Sequence, residues 1–360
     1  MSTIVVGMSG GVDSAVAATV LRDAGHDVVG VTLRTAPWEA PEEASSRFGS
    51  CCSPATASMA RQAARVLGIP YYFLNHEQEF GARVVADFTR EYAAGRTPSP
   101  CVVCNREIKF GTLLDRARAW DAEAVATGHY ARVAPDPATG RVHLLTARDE
   151  AKDQSYFLWP LTQGQLARAR FPIGGLSKVE VRARARARGL AAAAVPESQE
   201  LCFVSGDYRT FLRARAPEAF RPGPIVDEAG QEIGEHAGLG AYTVGQRRGL
   251  GRIGPSPAYV VRLDPARNAV VVGPREALRA TRLVAERVNW IAIERLAAPL
   301  AVEVRVRHRA PRVPAYVVPR APGEIEVLLE APQYAVTPGQ SVVFYRGDVV
   351  VGGGVIACAA

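Results

Sequence analysis

The chemistry-bearing residues of this chain fall into a glycine-rich turn and a set of separated cysteines. Ile4-Val-Val-Gly-Met-Ser-Gly-Gly-Val-Asp-Ser14 runs from a β-branched stretch through a turn into a helix-period segment. Gly10 and Gly11 let backbone amides approach an anion closely, and Ser14 opens a helix whose N-terminus favours phosphate. No Gly-Lys-Ser/Thr follows, so this is not the loop of ordinary P-loop kinases, nor does its spacing match the dinucleotide fingerprint. Cys101 and Cys104 form a Cys-x-x-Cys in Arg96-Thr-Pro-Ser-Pro-Cys-Val-Val-Cys-Asn-Arg-Glu-Ile-Lys-Phe110, and Cys202 lies in Pro196-Glu-Ser-Gln-Glu-Leu-Cys-Phe-Val204. One such pair needs a second to close a tetrahedral zinc site, and the adjacent Cys51 and Cys52 chelate poorly. Two readings stay open at this point: buried, inert thiols, or a redox dithiol. For the latter, the Pro-rich surroundings of Cys101 and Cys104 predict a loop rather than the helix N-terminus that lowers a thiol pKa.

These groups need a scaffold. Strand-like runs at 3–7, 26–33, 71–75 and 124–127 alternate with helical patterns at 14–24, 59–67, 80–92 and 108–120. Strands alternating with helices of this length predict a parallel sheet flanked by helices. A turn at 134–140 joins two short strands and predicts a hairpin decorating that sheet. After about residue 204 Gly and Pro become frequent, and short alternating runs follow at 258–263, 269–272, 300–306 and 341–345. That is an all-β pattern, with a break near 276–282. The expected fold class is α/β: a parallel-sheet domain over 1–205, a central β domain over 206–278 and a β-barrel-like domain over 279–360.

The whole chain agrees. Its 360 residues, 48% hydrophobic and 22% charged, exclude disorder, collagen and coiled coil. At roughly 150 residues per domain they fill two or three cores. No membrane-length apolar run and no secretory leader are visible, so a soluble, cytoplasmic protein is expected. The net charge of +7 suggests a polyanionic partner. Of 43 basic residues only Lys109, Lys152 and Lys178 are lysine, against an Arg/Ala bias also visible at 181–189. A strand over 303–309 would align Glu303, Arg305, Arg307 and Arg309 on one face, suited to a phosphate backbone or simply to solvent. His129 follows a strand end, where α/β sheets place ligands. The acidic stretch Glu39 to Glu43 reads as a solvated loop.

Ser9-Gly-Gly-Val-Asp-Ser14 resembles the pyrophosphate loop of ATP pyrophosphatases (PP-loop, adenine nucleotide alpha hydrolase-like enzymes). Further motifs narrow this: Thr97-Pro-Ser-Pro100, Cys104-Asn-Arg-Glu-Ile-Lys-Phe110, Thr127-Gly-His-Tyr130, Lys152-Asp-Gln-Ser-Tyr-Phe157, Cys202-Phe203, Ile233-Gly-Glu-His236 and Thr243-Val-Gly-Gln-Arg-Arg-Gly-Leu-Gly251. Together they resemble the tRNA-specific 2-thiouridylase (MnmA) family across nearly the whole chain. The resemblance implies a tRNA-uridine 2-sulfurtransferase that uses ATP with Mg2+ to adenylate C2 of the wobble uridine, then delivers persulfide sulfur, releasing AMP and pyrophosphate. It implies ATP contacts at Gly7, Met8, Ser9, Gly10, Gly11, Val12, Asp13, Ser14, Leu33 and Gly128. Cys104 would be the nucleophile and Cys202 the persulfide carrier, the two closing a redox disulfide. Ser99, Pro100 and Cys101 would line the target base, and His129, Lys152, Asp153, Gln154, Arg307, His308 and Gln340 would touch tRNA. The implied partners are the anticodon loop of lysine, glutamate and glutamine tRNAs and a sulfur-donor protein of a cysteine-desulfurase relay, with no membrane.

A uracil C2 oxygen leaves poorly until adenylated; persulfide sulfur attacking C2 then expels AMP. The Cys104 thiolate either releases the product from Cys202 as a disulfide or first liberates hydrosulfide, and both routes stay open. The base must also leave the anticodon stack, at a cost of a few kcal/mol at most. This chain departs from the family at Cys101, where Asp is common, and at Ser99, where Asn is more usual. Cys101, Cys104 and Cys202 could thus cradle an iron–sulfur cluster with one open iron, ranked below persulfide relay. The alternatives are another ATP pyrophosphatase, such as an amide-forming synthetase acting on a small molecule, and a non-catalytic RNA-binding or redox protein.

Overall fold

A computed structural model describes residues 2–35, 54–195, 201–204, 206–251 and 257–360. Cys51, Cys52, the Glu39 to Glu43 stretch and residues 196–200 of the Cys202 motif lie outside the described residues. The chain forms two compact units. One comprises Met1–Val84, Cys101–Gly206 and Asp348–Val350; the other comprises Val85–Pro100, Asp207–Gly347 and Val351–Ala360.

In the first unit, β1 (Thr3–Gly7), α1 (Val12–Asp23), β2 (Asp27–Arg34), α2 (Pro54–Leu67), β3 (Tyr71–Asn75) and β4 (Ala124–Thr127) alternate as the sequence predicts. A hairpin of β5 (Ala131–Pro135) and β6 (Val142–Thr146) and the two-residue β7 (Ala169–Arg170) follow. The sheet order is β3-β2-β1-β4-β7, with parallel pairings throughout. Central strands are β-branched because both faces are covered: Ile4 and Val6 pack into a cluster with Val16, Ala17 and Leu21 of α1 and with Ala60 and Leu67 of α2. Each fully buried Val or Leu of this kind contributes about 1.5–3 kcal/mol. The alanines of α1 let that helix lie close against β1. The hairpin does not extend this sheet, contrary to the sequence expectation. β7 takes the edge beside β4, so β6 instead pairs with Val349 and Val350.

In the second unit, the helix Ala86–Ala93 accompanies a four-stranded sheet ordered β10-β11-β8-β9, from β8 (Gly223–Val226), β9 (Glu232–His236), β10 (Tyr259–Asp264) and β11 (Ala269–Gly273). A 3-10 turn, Arg275–Leu278, leads to β12 (Arg279–Trp290), β13 (Leu300–Arg305), β14 (Val313–Ala321), β15 (Glu324–Tyr334), β16 (Ser341–Arg346) and β17 (Val349–Ala359). The order β12-β15-β14-β13-β16-β17, with β17 pairing back onto β12, closes a six-stranded barrel. Val304, Val317, Val327, Val342, Phe344 and Ile356 fill it. Closure removes free sheet edges. Among the described residues no helix is long and apolar enough to cross a membrane.

Candidate active site

β1 delivers the chain to a turn at Met8–Gly11, and α1 starts at Val12. The turn is pinned by Met8 N donating to Val31 O (2.7 Å) and by Thr32 Oγ1 donating to Met8 O (2.6 Å). Ser14 Oγ donates to Gly11 O (3.1 Å) and accepts from Ser9 N (3.2 Å). Two glycines are required by geometry. Gly10 has φ +77°, and a Cβ there would lie 2.2 Å from Thr56 O; a Cβ on Gly128 would lie 2.6 Å from Asp13 C and Ser14 N. The end of β4 thus presses directly on the first turn of α1. Gly11 caps that helix without a side-chain hydrogen bond, which leaves its first amides for an anion.

One cavity opens over this turn. Gly7, Met8, Ser9, Asp13 and Ser14 line it from the loop, with Leu33 from β2 and Gly128 and His129 from the end of β4. Gly10, Gly11 and Val12 belong to the same turn without lining the cavity. Cys104 and Cys202 both line it, as does Gln154. Cys202 is held by its neighbour: Phe203 stacks edge-on against Phe80 at 5.6 Å, and Phe80 is itself in the cavity wall.

Cys101 and Cys104 are not in a loop, as the prolines suggested, but in the helix Pro100–Cys104. Proline suits a first helical position, because its missing N–H would be unpaired there and its φ is already helical. Cys104 therefore sits in the early turns of a helix, where the dipole favours a thiolate. The helix continues as a π-helical stretch, Asn105–Thr112, before Leu113–Ala119 resumes α-winding. Its wider i→i+5 turn puts Ile108 and Lys109 on the cavity with Cys104. Cys101 is exposed and does not line the cavity, and among the described residues no three His, Cys, Asp or Glu side chains gather where they could hold a metal ion. The three thiols do not fit the cluster that their spacing allowed.

The charges around the loop are arranged. Asp13 is paired with Lys178 Nζ at 2.7 and 2.8 Å and accepts from Tyr130 Oη at 2.8 Å. Lys178 opens the helix Lys178–Ala187, fixed by a capping box of Ser177 and Glu180. His129 Nδ1 shares a hydrogen with Thr127 Oγ1 at 2.7 Å, its ring set between Phe110 and Phe171. Burial, reinforced by the nearby Lys109 ammonium, holds its pKa well below the usual imidazole range. His129 is thus neutral at pH 7.

Of the Lys152-Asp153-Gln154 run, only Gln154 reaches the cavity wall; its Oε1 accepts from Tyr130 N at 3.0 Å. Lys152 ends the 3-10 turn Glu150–Lys152. Asp153 is buried and accepts from Ala147 N, Ser155 N and Ser155 Oγ, so its carboxylate shapes the local loop. Ser99, Pro100, Arg307, His308 and Gln340 belong to the second unit. There Gln340 Nε2 donates to Thr97 O at 2.8 Å and Pro98 O at 3.4 Å. The expected arginine row on 303–309 is broken. β13 ends at Arg305, the chain turns with Ala310 N on Arg307 O, and the Arg307 guanidinium bonds Ala335 O and Thr337 Oγ1. An antiparallel return to β14 needs that turn, and Pro311 cannot donate to a continuing ladder. The residue-by-residue site list omitted Lys109, Lys178, Tyr130 and Thr32. The scarcity of lysine pointed to the first two; nothing local marks the others.

Family models match three consecutive segments: a tRNA methyl transferase HUP domain over 2–206, a tRNA methyl transferase PRC-barrel domain over 209–274 and an aminomethyltransferase beta-barrel domain over 280–356. The chain is similar to proteins named tRNA-specific 2-thiouridylase MnmA. That of Roseiflexus castenholzii is 52% identical, covering 99% of this chain and 100% of that one. Those of Heliobacterium modesticaldum and Chloroflexus aggregans are each 51% identical, covering 98% and 99% of this chain and 92% and 99% of theirs.

Proposed function

The chain belongs to the tRNA-specific 2-thiouridylase MnmA family, and from that premise we propose that its cavity makes 2-thiouridine at the wobble position of tRNA. The observation that carries the mechanism is that Cys104 and Cys202 open on the same cavity as the Gly7–Ser14 turn. ATP phosphates bind the amides of that turn and of early α1, with Leu33 and Gly128 beside the adenosine and Mg2+ accompanying the nucleotide. Lys178 neutralises Asp13, which would otherwise repel a polyphosphate. The uridine C2 oxygen attacks the α-phosphorus, expelling pyrophosphate and leaving an adenylate. The terminal sulfur of a Cys202 persulfide attacks C2 and AMP departs. Cys104 thiolate then attacks the Cys202 sulfur, so the sulfur–sulfur bond breaks toward the base, giving the thiocarbonyl and a Cys104–Cys202 disulfide for a reductant to reset. The mechanism needs two thiols and no third, consistent with the exposed Cys101.

Ser99, Pro100 and Cys101 are assigned to the base, and His129, Lys152, Asp153, Gln154, Arg307 and His308 to the tRNA, on the strength of the family motifs. The same motifs support lysine, glutamate and glutamine tRNAs as substrates, a desulfurase-relay protein as sulfur donor and a cytoplasmic location. The spans of the three family models support a division at 1–205, 206–278 and 279–360. The decisive experiment follows labelled sulfur into unmodified tRNA with ATP, comparing wild type with Cys104→Ser and Cys202→Ser. Both variants should fall at least about a thousandfold, as for loss of a covalent nucleophile. Loss in Cys104→Ser alone would replace the Cys202 relay with direct use of sulfide. Pyrophosphate release with no thiolated tRNA would refute the substrate.

A further inference from the structure

Val85–Pro100 is an excursion: it belongs to the second unit, although the chain before and after it belongs to the first. Its anchorage there is specific. Arg96 Nε lies 2.8 Å from Glu91 Oε2, and Arg96 Nη2 lies 2.7 Å from Glu286 Oε1. Arg287 Nη2 lies 2.9 Å from Glu91 Oε1 and 3.3 Å from Glu286 Oε1. Two carboxylates and two guanidiniums close a neutral ring in which each charge meets two partners, the condition under which Glu91 can be 7% exposed.

Downstream of the ring the chain reads Thr97-Pro-Ser-Pro100. Its two prolines carry no N–H, so this stretch cannot satisfy its own carbonyls and needs donors from elsewhere. β17 and the turn before β16 supply them. Thr97 N donates to Pro338 O at 2.9 Å, and Gly339, at φ +91°, comes so near that a Cβ would lie 2.8 Å from Thr97 N. Gln340 Nε2 then donates to the carbonyls of Thr97 and Pro98, the two residues immediately before Ser99. Gln340 is itself held by Ile356 N donating to its backbone carbonyl at 2.8 Å.

We propose that Gln340 is a positioning residue: it holds the Thr97 and Pro98 carbonyls, with the four-charge ring fixing the chain upstream, so that Ser99 and Pro100 are presented to the target base as part of the barrel's unit. It acts through that backbone and not by touching the RNA. This rests on the base-facing role given above to Ser99 and Pro100.

The test uses the full-length protein with Gln340→Glu, which removes both donated hydrogens and sets a carboxylate against two carbonyls, and with the uncharged Gln340→Met should the first fail to fold. Amide exchange without substrates should quicken at least tenfold at Thr97 and stay unchanged in α1. Single-turnover thiolation at saturating tRNA and ATP should fall at least thirtyfold while the Kd for tRNA changes less than threefold. Arg96→Met should reproduce both changes. Unchanged exchange at Thr97 overturns the anchorage whatever the thiolation assay gives. A tenfold weaker Kd with an unchanged single-turnover rate makes Gln340 an RNA contact and overturns the proposal. Should the wild-type protein not thiolate tRNA at all, the function above fails, while the exchange data still judge the anchorage.

Discussion

His129 illustrates how a single side chain carries both a site property and a stability property. Its folded pKa is depressed by burial and by Lys109, so the unfolded chain binds the proton more readily. Stability from the neutral ring is therefore complete above the unfolded value of roughly 6.5 and is lost as pH falls toward the folded pKa. Lowering pH from 7.5 to 5.5 should reduce Tm, and His129→Asn should remove part of that fall, at most about 1.4 kcal/mol per pH unit. His76 and His236, also depressed by burial, account for the remainder. An unchanged pH profile in the variant would refute this. At this scale the sequence was legible where chemistry is local. The Gly10–Gly11 turn, Ser14 and the position of His129 after β4 all follow from neighbours along the chain. Asp13, Tyr130 and Lys178 meet only through the tertiary fold, and no spacing announces their contact.

Elements were legible in kind more than in extent. The alternation of β1 to β4 with helices appears directly in the apolar periods. Pro100 misled, since proline signals a loop in its interior role and a helix start in its first-position role, and only the packing distinguishes them. The π-helical stretch has no periodic signature, yet it sets which residues share the face of Cys104. Asn105 anchors its start, being 1% exposed with Nδ2 on Phe157 O at 3.0 Å. Asn105→Ala should cost about 1–3 kcal/mol, because it strips a buried carbonyl of its donor. Thermal denaturation would show the loss, and a Tm within a degree of wild type would contradict it.

For the whole molecule, the excess of +7 charges predicts how binding responds to salt. A substrate held by phosphate contacts releases counterions. Raising salt from 50 to 200 mM should therefore lower kcat/KM for tRNA by about a hundredfold or more and leave kcat nearly unchanged. A flat dependence would mean that the arginines serve solvent and not RNA. The path of the chain has a further consequence. It passes between the two units at 84/85, 100/101, 206/207, 347/348 and 350/351, and Val349 and Val350 complete the pairing of β6. Synthesis proceeds from the N-terminus, so the edge of β6 waits more than two hundred residues for its partner. Neither unit can finish on the ribosome ahead of the other. The nucleotide site and the RNA-facing barrel reach maturity as one late event, and a nascent chain stopped short of residue 350 leaves both incomplete.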